Sequence, residues 1–262
     1  MLGIRPNMRY KMYKRLVNRV FSLCLFSCLI STSGYAAQEG NKIIIPKAFD
    51  TSYELTMGVL TLGEMNRKLY FDNEKGRYVY TSSSKPTGYA KWMTSSTIDE
   101  TSEWIFNGKR LRPLNYSYHR TEGAFNKEKE VEVKFDWENN NALSVMNGNP
   151  ITFKLPGNSV DALLYHLAVT YDLKIGRKDL GYNVANGKRV KLHRFERVGE
   201  EDIETAMGTF KTIKIKLPGK RETIIWCAPE LDYLPVQLEQ HESRGKLLMK
   251  LTSAQIGDDI RP

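Results

Sequence analysis

The stretch RETIIWCAPELDYLPVQLEQ, residues 221–240, decides the fold class of this chain. Two runs of β-branched, aromatic and aliphatic residues flank a proline-containing segment at residues 228–232, a pattern typical of two strands joined by a corner. In the second run every other residue from 234 to 238 is aliphatic, which predicts one buried and one solvated face. Trp226 stands at the corner, where we expect its ring to pack near this buried face.

The same strand pattern repeats along the chain, and it predicts strands at residues 53–62, 188–197 and 202–206 among others. The cleanest example, residues 128–137, alternates Val, Val, Phe and Trp with charged residues. Asn-Gly pairs between such runs are strong hairpin signals, because both residues tolerate the positive φ of a tight turn. The pairs are Asn107-Gly108, Asn147-Gly148 and Asn186-Gly187. We therefore predict a mainly β fold, a strongly curved antiparallel sheet that forms a half-barrel or a barrel-like meander.

One central helix is predicted over residues 159–173. Apolar residues recur there at helical offsets, with Asn158 or Ser159 as the cap and Asp161 in the first turn. The opposite side, which includes Tyr165, is apolar too, so the helix is expected to be covered on both sides or to line an apolar space. Two interpretations stay open: a core helix wedged under the curved sheet, or a lid over it.

The first 36 residues resemble an export signal. Six basic residues precede an apolar run at residues 20–30, and small residues lead to a cleavage site after Ala36. The apolar run is about eleven residues long, against the roughly twenty that a membrane-spanning helix needs. We predict a signal peptide at 1–36, an extended linker at 37–52, a single β-rich domain at 53–256 and a tail at 257–262. The expected location is the periplasm, with lipidation at Cys28 as the alternative.

Removal of the signal changes the charge and the cysteine inventory. Subtracting its six basic residues from the net charge of +9 leaves about +3, which argues against nucleic acid as a partner. Cys24 and Cys28 lie in the signal, so Cys227 stands alone and cannot form an internal disulfide. Its apolar neighbours predict a small buried hydrophobic residue.

The sequence carries none of the common catalytic or metal-binding motifs. The sequence has no HExxH, CxxC, GxSxG, P-loop or GxGxxG pattern. Its histidines lie far apart in sequence, at His119, His166, His193 and His241. A row of glutamates at 128, 130 and 132 is interpreted as the solvated face of a strand. We therefore predict no enzymatic activity, no cofactor and no metal site.

Aromatic residues recur across the predicted strands. They are interpreted either as core or as the wall of an apolar cavity inside a curved sheet, where such folds hold ligands. The candidate ligand-binding residues are Trp104, Tyr116, Trp137, Leu164, Tyr165 and Trp226.

Several short motifs carry a family resemblance. They are RPLNY at 112–116, FDW at 135–137, Glu201 followed by TAMGTF at 205–210, the strand at 223–228, and LPV at 234–236. In their order and spacing they resemble the bacterial domain-of-unknown-function family 3108, over about residues 53–253. The resemblance implies exported envelope proteins of Gram-negative bacteria with one β-rich domain and no assigned activity.

Three functions remain open at this point. The first is a periplasmic, non-enzymatic protein that binds an apolar or amphipathic envelope molecule, or a partner protein, in the curved sheet, with membrane contact peripheral at most. The second is a scaffolding protein with a filled core that acts through a strand edge. The third is an envelope hydrolase. An enclosed space lined by aromatic residues favours the first, and a filled core favours the second.

Overall fold

The structure is a computed structural model that describes residues 45–93, 95–123, 127–243, 245–257 and 260. They belong to one compact unit, Ile43–Pro262. The predicted signal peptide and Cys28 lie outside the described residues. Among the residues described, no helix has both the length and the apolar character to cross a membrane.

Within this part of the chain, fifteen strands and two α-helices form. The strands are β1 Phe49–Met57, β2 Leu60–Asp72, β3 Arg77–Pro86, β4 Ile98–Phe106, β5 Leu111–Arg120, β6 Lys129–Asp136, β7 Asn141–Met146, β8 Asn149–Lys154, β9 Ser159–Asp161, β10 Leu180–Ala185, β11 Val190–Thr205, β12 Gly208–Leu217, β13 Thr223–Ala228, β14 Leu234–Glu242 and β15 Gly245–Ile256. The helices are α1 Ala90–Met93 and α2 Leu164–Lys174, and a 3-10 turn spans Pro229–Leu231.

All fifteen strands belong to one sheet, in the order β8-β7-β6-β5-β4-β3-β2-β1-β15-β14-β13-β12-β11-β10-β9. Neighbouring strands are antiparallel except β9 and β10, which are parallel. The chain thus meanders outward from β1 to β8, and the pairing of β1 with β15 joins a second meander to the first. The predicted curved antiparallel meander is confirmed.

The two ends of the sheet curl toward each other. Ser102 Oγ on β4 donates a hydrogen bond of 2.6 Å to the carboxylate of Asp161 on β9. Ser144 Oγ on β7 donates one of 2.7 Å to the carbonyl of Gly187, in the turn between β10 and β11. Because β8 and β9 are the two edges of the sheet order, the result is a barrel-like sheet whose closing seam is made by side chains.

Helix α2 is buried inside the curved sheet, as its all-round apolar pattern predicts. Its residues are buried without a break from Leu167 to Leu173, and Tyr171 packs edge-on against Phe106 with ring centroids 5.7 Å apart. The helix begins later than predicted, because Ser159–Asp161 pairs with β10 as a strand. Asp161 accepts hydrogen bonds from the N–H groups of the two residues at 163 and 164. It therefore caps the helix rather than lying in its first turn.

Strand boundaries also differ from the sequence prediction in three places. The first strand starts at Phe49 rather than at residue 53. A turn at Gly58, with φ +59°, divides the run 53–62 into the ends of β1 and β2. Residues predicted as two strands, 188–197 and 202–206, form the single long strand β11. The three Asn-Gly hairpins are confirmed, with φ of +86°, +78° and +85° at Gly108, Gly148 and Gly187.

The two ends of the barrel-like sheet differ in charge. In an antiparallel meander, alternate connections lie at the same end. One end, which we call the mouth, is therefore formed by residues 58–59, 87–93, 95–97, 121–123, 127–128, 147–148, 186–189, 218–222 and 243. Its described residues include six basic ones against three acidic ones. The basic residues are Lys91, Lys127, Lys188, Arg189, Lys220 and Arg221, and the acidic ones are Glu122, Glu128 and Glu222. The opposite end, the base, holds the carboxyl end of α2, where Lys174 Nζ pairs with Asp232 at 2.6 Å.

A candidate ligand-binding cleft at the mouth

A cleft of about 620 Å³ opens at the mouth between β11, the β12–β13 loop and the end of β14. This volume lies within the roughly 300–1,000 Å³ of typical small-molecule sites. The lining consists of Tyr165, Lys191, Leu192, His193, Leu217, Pro218, Gly219, Lys220, Arg221, Thr223, Gln240, His241, Glu242 and Ser243. It combines apolar side chains with three fixed positive charges and one carboxylate, a mixture that suits an amphipathic molecule.

The space around α2 is otherwise nearly filled. Two small pockets, of about 20 and 10 Å³, border the helix near Tyr171, and each has room for about one water molecule. A larger groove of about 960 Å³ runs past residues 45–48 and 69–74 at the base. The mouth cleft reaches from solvent to Tyr165, in the first turn of α2.

Tyr165, in the first turn of α2, forms the inner wall of the cleft. Its ring centroid lies 5.4 Å from that of His193 and 6.1 Å from that of Phe195. Burial lowers the pKa of His193, and the neighbouring Lys191 lowers it further. Burial also holds the pKa of His166 well below its ordinary value. Both imidazoles are therefore neutral at pH 7, and within the described part of the chain each has an Nδ1 atom without a hydrogen-bond partner.

A buried pair of opposite charges lies deeper inside the sheet. Arg67 on β2 and Glu100 on β4 are both in register with Ser82 on the strand between them, so they share the inner face. Glu100 accepts a hydrogen bond of 2.6 Å from the Tyr116 hydroxyl, and burial raises its pKa. Arg67 is buried, and its Nε and Nη1 atoms have no partner among the described residues. Buried donors without partners mark a place where a polar group or water is expected.

The outer rim of the cleft is cationic. Lys191 and Lys220 are exposed and make no ion pair within the described part of the chain. Arg221 lies 3.4 Å from the carboxylate of Glu242, which it partly neutralises. The rim therefore offers two unpaired ammonium groups to an anionic group of a ligand.

The six residues predicted from sequence do not form one site. Trp104 is fully enclosed and stacks on Tyr78 with ring centroids 4.4 Å apart. Leu164 is fully enclosed as well, and Tyr116 is buried at its bond with Glu100. Of the six, Tyr165 is the one that lines the mouth cleft. Their joint role in ligand binding stays a prediction.

Trp137 and Trp226 lie apart from the cleft. Trp137 Nε1 donates to the carbonyl of Pro113 at 2.7 Å, at the base. Trp226 is paired in register with Gln237, so its ring lies on the face opposite to the aliphatic residues 234–238, contrary to the sequence expectation. Its Nε1 donates to Glu201 at 2.9 Å, and Lys214 Nζ lies 4.9 Å from the ring centroid. Strand β13 is buried on both faces, so its sequence does not indicate which face holds the Trp226 ring.

Comparison with known proteins gives the family. The family model for a protein of unknown function, DUF3108, matches residues 52–252. This chain belongs to the DUF3108 family. A search of curated proteins finds no match.

The DUF3108 chain also resembles a solved structure. The crystal structure of a β-barrel-like protein of domain of unknown function DUF1849 from Brucella abortus aligns with a TM-score of 0.57 at 12% sequence identity. The alignment covers 82% of this chain and 100% of that one. At this identity the likeness shows the fold alone, and it agrees with the barrel-like sheet.

The charged residues inside the DUF3108 sheet were not among the predicted site residues, although the sequence contains a signal for them. Arg67 interrupts an alternating apolar face between Met65 and Leu69, and Glu100 similarly follows Ile98 on its strand. A charge on an apolar face is costly unless it is paired or functional. The lysines at the outer rim of the cleft, Lys191 and Lys220, form no recognisable sequence motif, because they come from a strand and a loop that are distant in sequence.

One cluster on the outer face also escaped the sequence analysis. Potential ligand atoms of His119, Glu128 and Glu130 lie within 4.8 Å of one another. His119 Nε2 is 3.1 Å from Glu128, and all three side chains are well exposed. Such exposed groups are satisfied by each other and by water, so the cluster identifies no site by itself.

The buried Asp161 makes stability depend on pH in a defined direction. Burial raises its pKa from 3.8 to about 6, although Ser102 and two backbone N–H groups act in the opposite direction. A group with a raised folded-state pKa contributes stability that is present below its unfolded pKa and is lost as pH rises through the folded pKa. A rise from 3.8 to about 6 corresponds to about 3 kcal/mol.

We therefore expect Asp161→Asn to gain stability over the parent protein as pH rises from 4 to 7, by up to about 3 kcal/mol. The amide oxygen can still accept the two N–H bonds. Urea unfolding at both pH values measures the change. As a control, Asp136→Asn should show almost no relative change over this range, because hydrogen bonds from Asn139 lower the pKa of Asp136 below 3.8 and its titration therefore lies below pH 4. An unchanged difference between parent and Asp161→Asn at the two pH values contradicts the prediction.

Proposed function

We propose that this protein is an exported, non-enzymatic binding protein that holds an amphipathic molecule with an anionic group in the mouth cleft. The observation that carries the proposal is a solvent-open cleft of about 620 Å³ with a cationic rim. An apolar tail can contact Leu192, Leu217 and the Tyr165 ring, while the anionic group meets Lys191 and Lys220. Burial of the tail provides affinity, and the charges orient the molecule.

The alternative of a scaffold acting through a strand edge has less support. The edge strand β8 is short and contains Pro150 and Lys154, both of which discourage addition of another strand. The other edge, β9, is buried along its whole length. A cleft with unpaired cations therefore favours small-molecule binding over edge pairing.

The chemistry of the cleft also favours binding over catalysis. His193 in the cleft has a lowered pKa, and its Nδ1 atom has no hydrogen-bond partner among the described residues, whereas the second histidine of the cleft, His241, lies 3.2 Å from the carboxylate of Glu239. Cys227 is buried, which raises the pKa of its thiol to about 12 and leaves almost no thiolate at pH 7. These observations support the proposal of a non-enzymatic protein.

The proposal is tested with an anionic fluorescent fatty acid and its neutral methyl ester as probes for the purified protein. We expect the acid to bind and Lys191→Glu/Lys220→Glu to weaken it by about tenfold or more, because two attractive charges become repulsive. Binding of the ester should change little. The loss should shrink at high salt, since the rim is exposed.

Lys109→Glu/Lys178→Glu is the matched control, because these two exposed lysines lie in the β4–β5 and α2–β10 connections at the base. It makes the same charge change far from the cleft and should leave the Kd of the acid within about twofold. Equal weakening by the control and Lys191→Glu/Lys220→Glu, or no binding of the acid to the parent protein, contradicts the proposed function.

A further inference from the structure

The mouth carries exposed hydrophobic side chains that the cleft does not use. Val59 is 100% exposed and Leu60 60% exposed, at the turn between β1 and β2. Tyr89 and Trp92 are each 90% exposed, and α1 contains the latter. Single exposed apolar residues are ordinary, but four large ones in two neighbouring segments are a common mark of an interaction surface.

These two segments are held next to each other. Gly63 on β2 is in register with Pro86 at the end of β3. Beyond this pair, the N–H of Thr87 donates to the carbonyl of Leu62 at 3.4 Å, which brings the loop containing α1 against the start of β2. The β1–β2 turn and α1 therefore project from the same side of the mouth. We call Val59, Leu60, Tyr89 and Trp92 the hydrophobic rim.

We propose that the mouth docks on an anionic lipid bilayer through the hydrophobic rim. Trp and Tyr side chains with a polar tip favour the membrane interface, and neighbouring aliphatic side chains enter the outer acyl region. The charge of the mouth complements an anionic surface, since its connections hold six basic residues against three acidic ones among the described positions.

The base provides an internal comparison for this charge argument. Its connecting segments, at 73–76, 107–110, 137–140, 175–179, 206–207 and 229–233, hold five basic and five acidic residues. The hydrophobic rim and an excess of positive charge thus occur together at the mouth, whereas basic and acidic residues are equal in number in the connections at the base. This coincidence favours a charged lipid surface over a neutral one.

Docking in this orientation would turn the mouth cleft toward the membrane. The hydrophobic rim shares no residue with the cleft lining, although Lys220 and Arg221 belong to both the mouth and the cleft, so docking through the hydrophobic rim can be tested independently of the proposed function. Val59→Asp/Leu60→Asp should reduce binding to vesicles but leave the Kd of the anionic fatty acid, measured without vesicles, within about twofold.

Trp92 provides a direct probe of docking. The chain has four tryptophans. Trp104 and Trp226 are buried, and Trp137 is half-buried with its Nε1 bonded to Pro113. A blue shift of emission on mixing with vesicles should therefore come from Trp92, and Trp92→Phe should abolish most of the shift while the protein still sediments with the vesicles.

The experiment compares sedimentation with vesicles of phosphatidylcholine alone and of phosphatidylcholine with phosphatidylglycerol. We expect binding to the anionic vesicles, at least about tenfold weaker binding to the neutral ones, and a loss of at least about tenfold for Val59→Asp/Leu60→Asp. Met207→Asp is the control, because Met207 is an exposed apolar residue in the β11–β12 turn at the base. It should bind as the parent protein does.

Three results would overturn the proposal. The first is an absence of binding to anionic vesicles, and the second is equal binding to neutral ones. The third is self-association of the parent protein that the Val59→Asp/Leu60→Asp change abolishes without any effect on vesicles, which would assign the hydrophobic rim to a second copy of the chain. Circular dichroism of each variant establishes that the fold is retained.

Discussion

Replacing Trp104 with alanine is expected to lower the free energy of unfolding by about 3 to 5 kcal/mol. The side chain is fully enclosed and stacks on Tyr78, so truncation leaves a large hole in a core with little free space. Chemical denaturation of the parent and variant proteins measures the loss. Binding of the anionic fatty acid by the folded variant should be retained, because Trp104 does not line the cleft.

Trp92→Ala is the matched control for this prediction. It removes the same side chain from a position that is 90% exposed and should change stability by no more than about 0.5 kcal/mol. Similar losses for the two variants, or a Trp104→Ala protein as stable as its parent, would show that the sheet does not enclose a filled core at this position.

The second large effect is expected for Gly187→Val, at about 2 to 5 kcal/mol. Gly187 has φ +85°, a conformation that a β-branched residue adopts with strain. A Cβ atom there would also lie 2.3 Å from Val131 Cγ1 on β6. The close approach of Gly187 to β6 helps to close the sheet. The valine side chain must therefore strain the turn and push the two sides of the seam apart. Thermal and urea unfolding measure the effect.

Two other glycines separate the cost of backbone strain from the cost of the clash with Val131. Gly108 and Gly148 have similar φ values but no atom within 4 Å of a built Cβ, so Gly108→Val and Gly148→Val should cost about 1 to 2 kcal/mol each. Adding Val131→Ala should recover part of the loss at Gly187 and nothing at Gly108. Equal losses at all three glycines would mean that the approach of Gly187 to β6 contributes nothing to stability.

Local patterns predicted much of the fold. The Asn-Gly turns and the two-faced strand at 128–137 depend on neighbours in sequence, so the sequence alone contains the necessary information. The start of α2 was missed because Ser159–Asp161 becomes a strand through pairing with β10, a partner distant in sequence. Helix periodicity cannot reveal a pairing of this kind.

The candidate site was less predictable. The cleft joins a residue from α2 with residues from β11, β14 and the β12–β13 loop, so no short motif spans it. Trp226 was assigned to the aliphatic face because its strand is apolar on both sides, and a register shift lies directly after it. The interior charge Arg67 was the exception, since its position between Met65 and Leu69 marks it in the sequence.

The seam between the two ends of the sheet is held differently from the strand pairs within it. In a fully closed barrel the circumference is fixed by an unbroken ladder of backbone hydrogen bonds. The polar contacts described across this seam, Ser102 with Asp161 and Ser144 with Gly187, are single side-chain bonds, each with a net value of about 0.5–1.5 kcal/mol. Widening the perimeter at this seam would therefore break side-chain contacts but no pair of hydrogen-bonded strands.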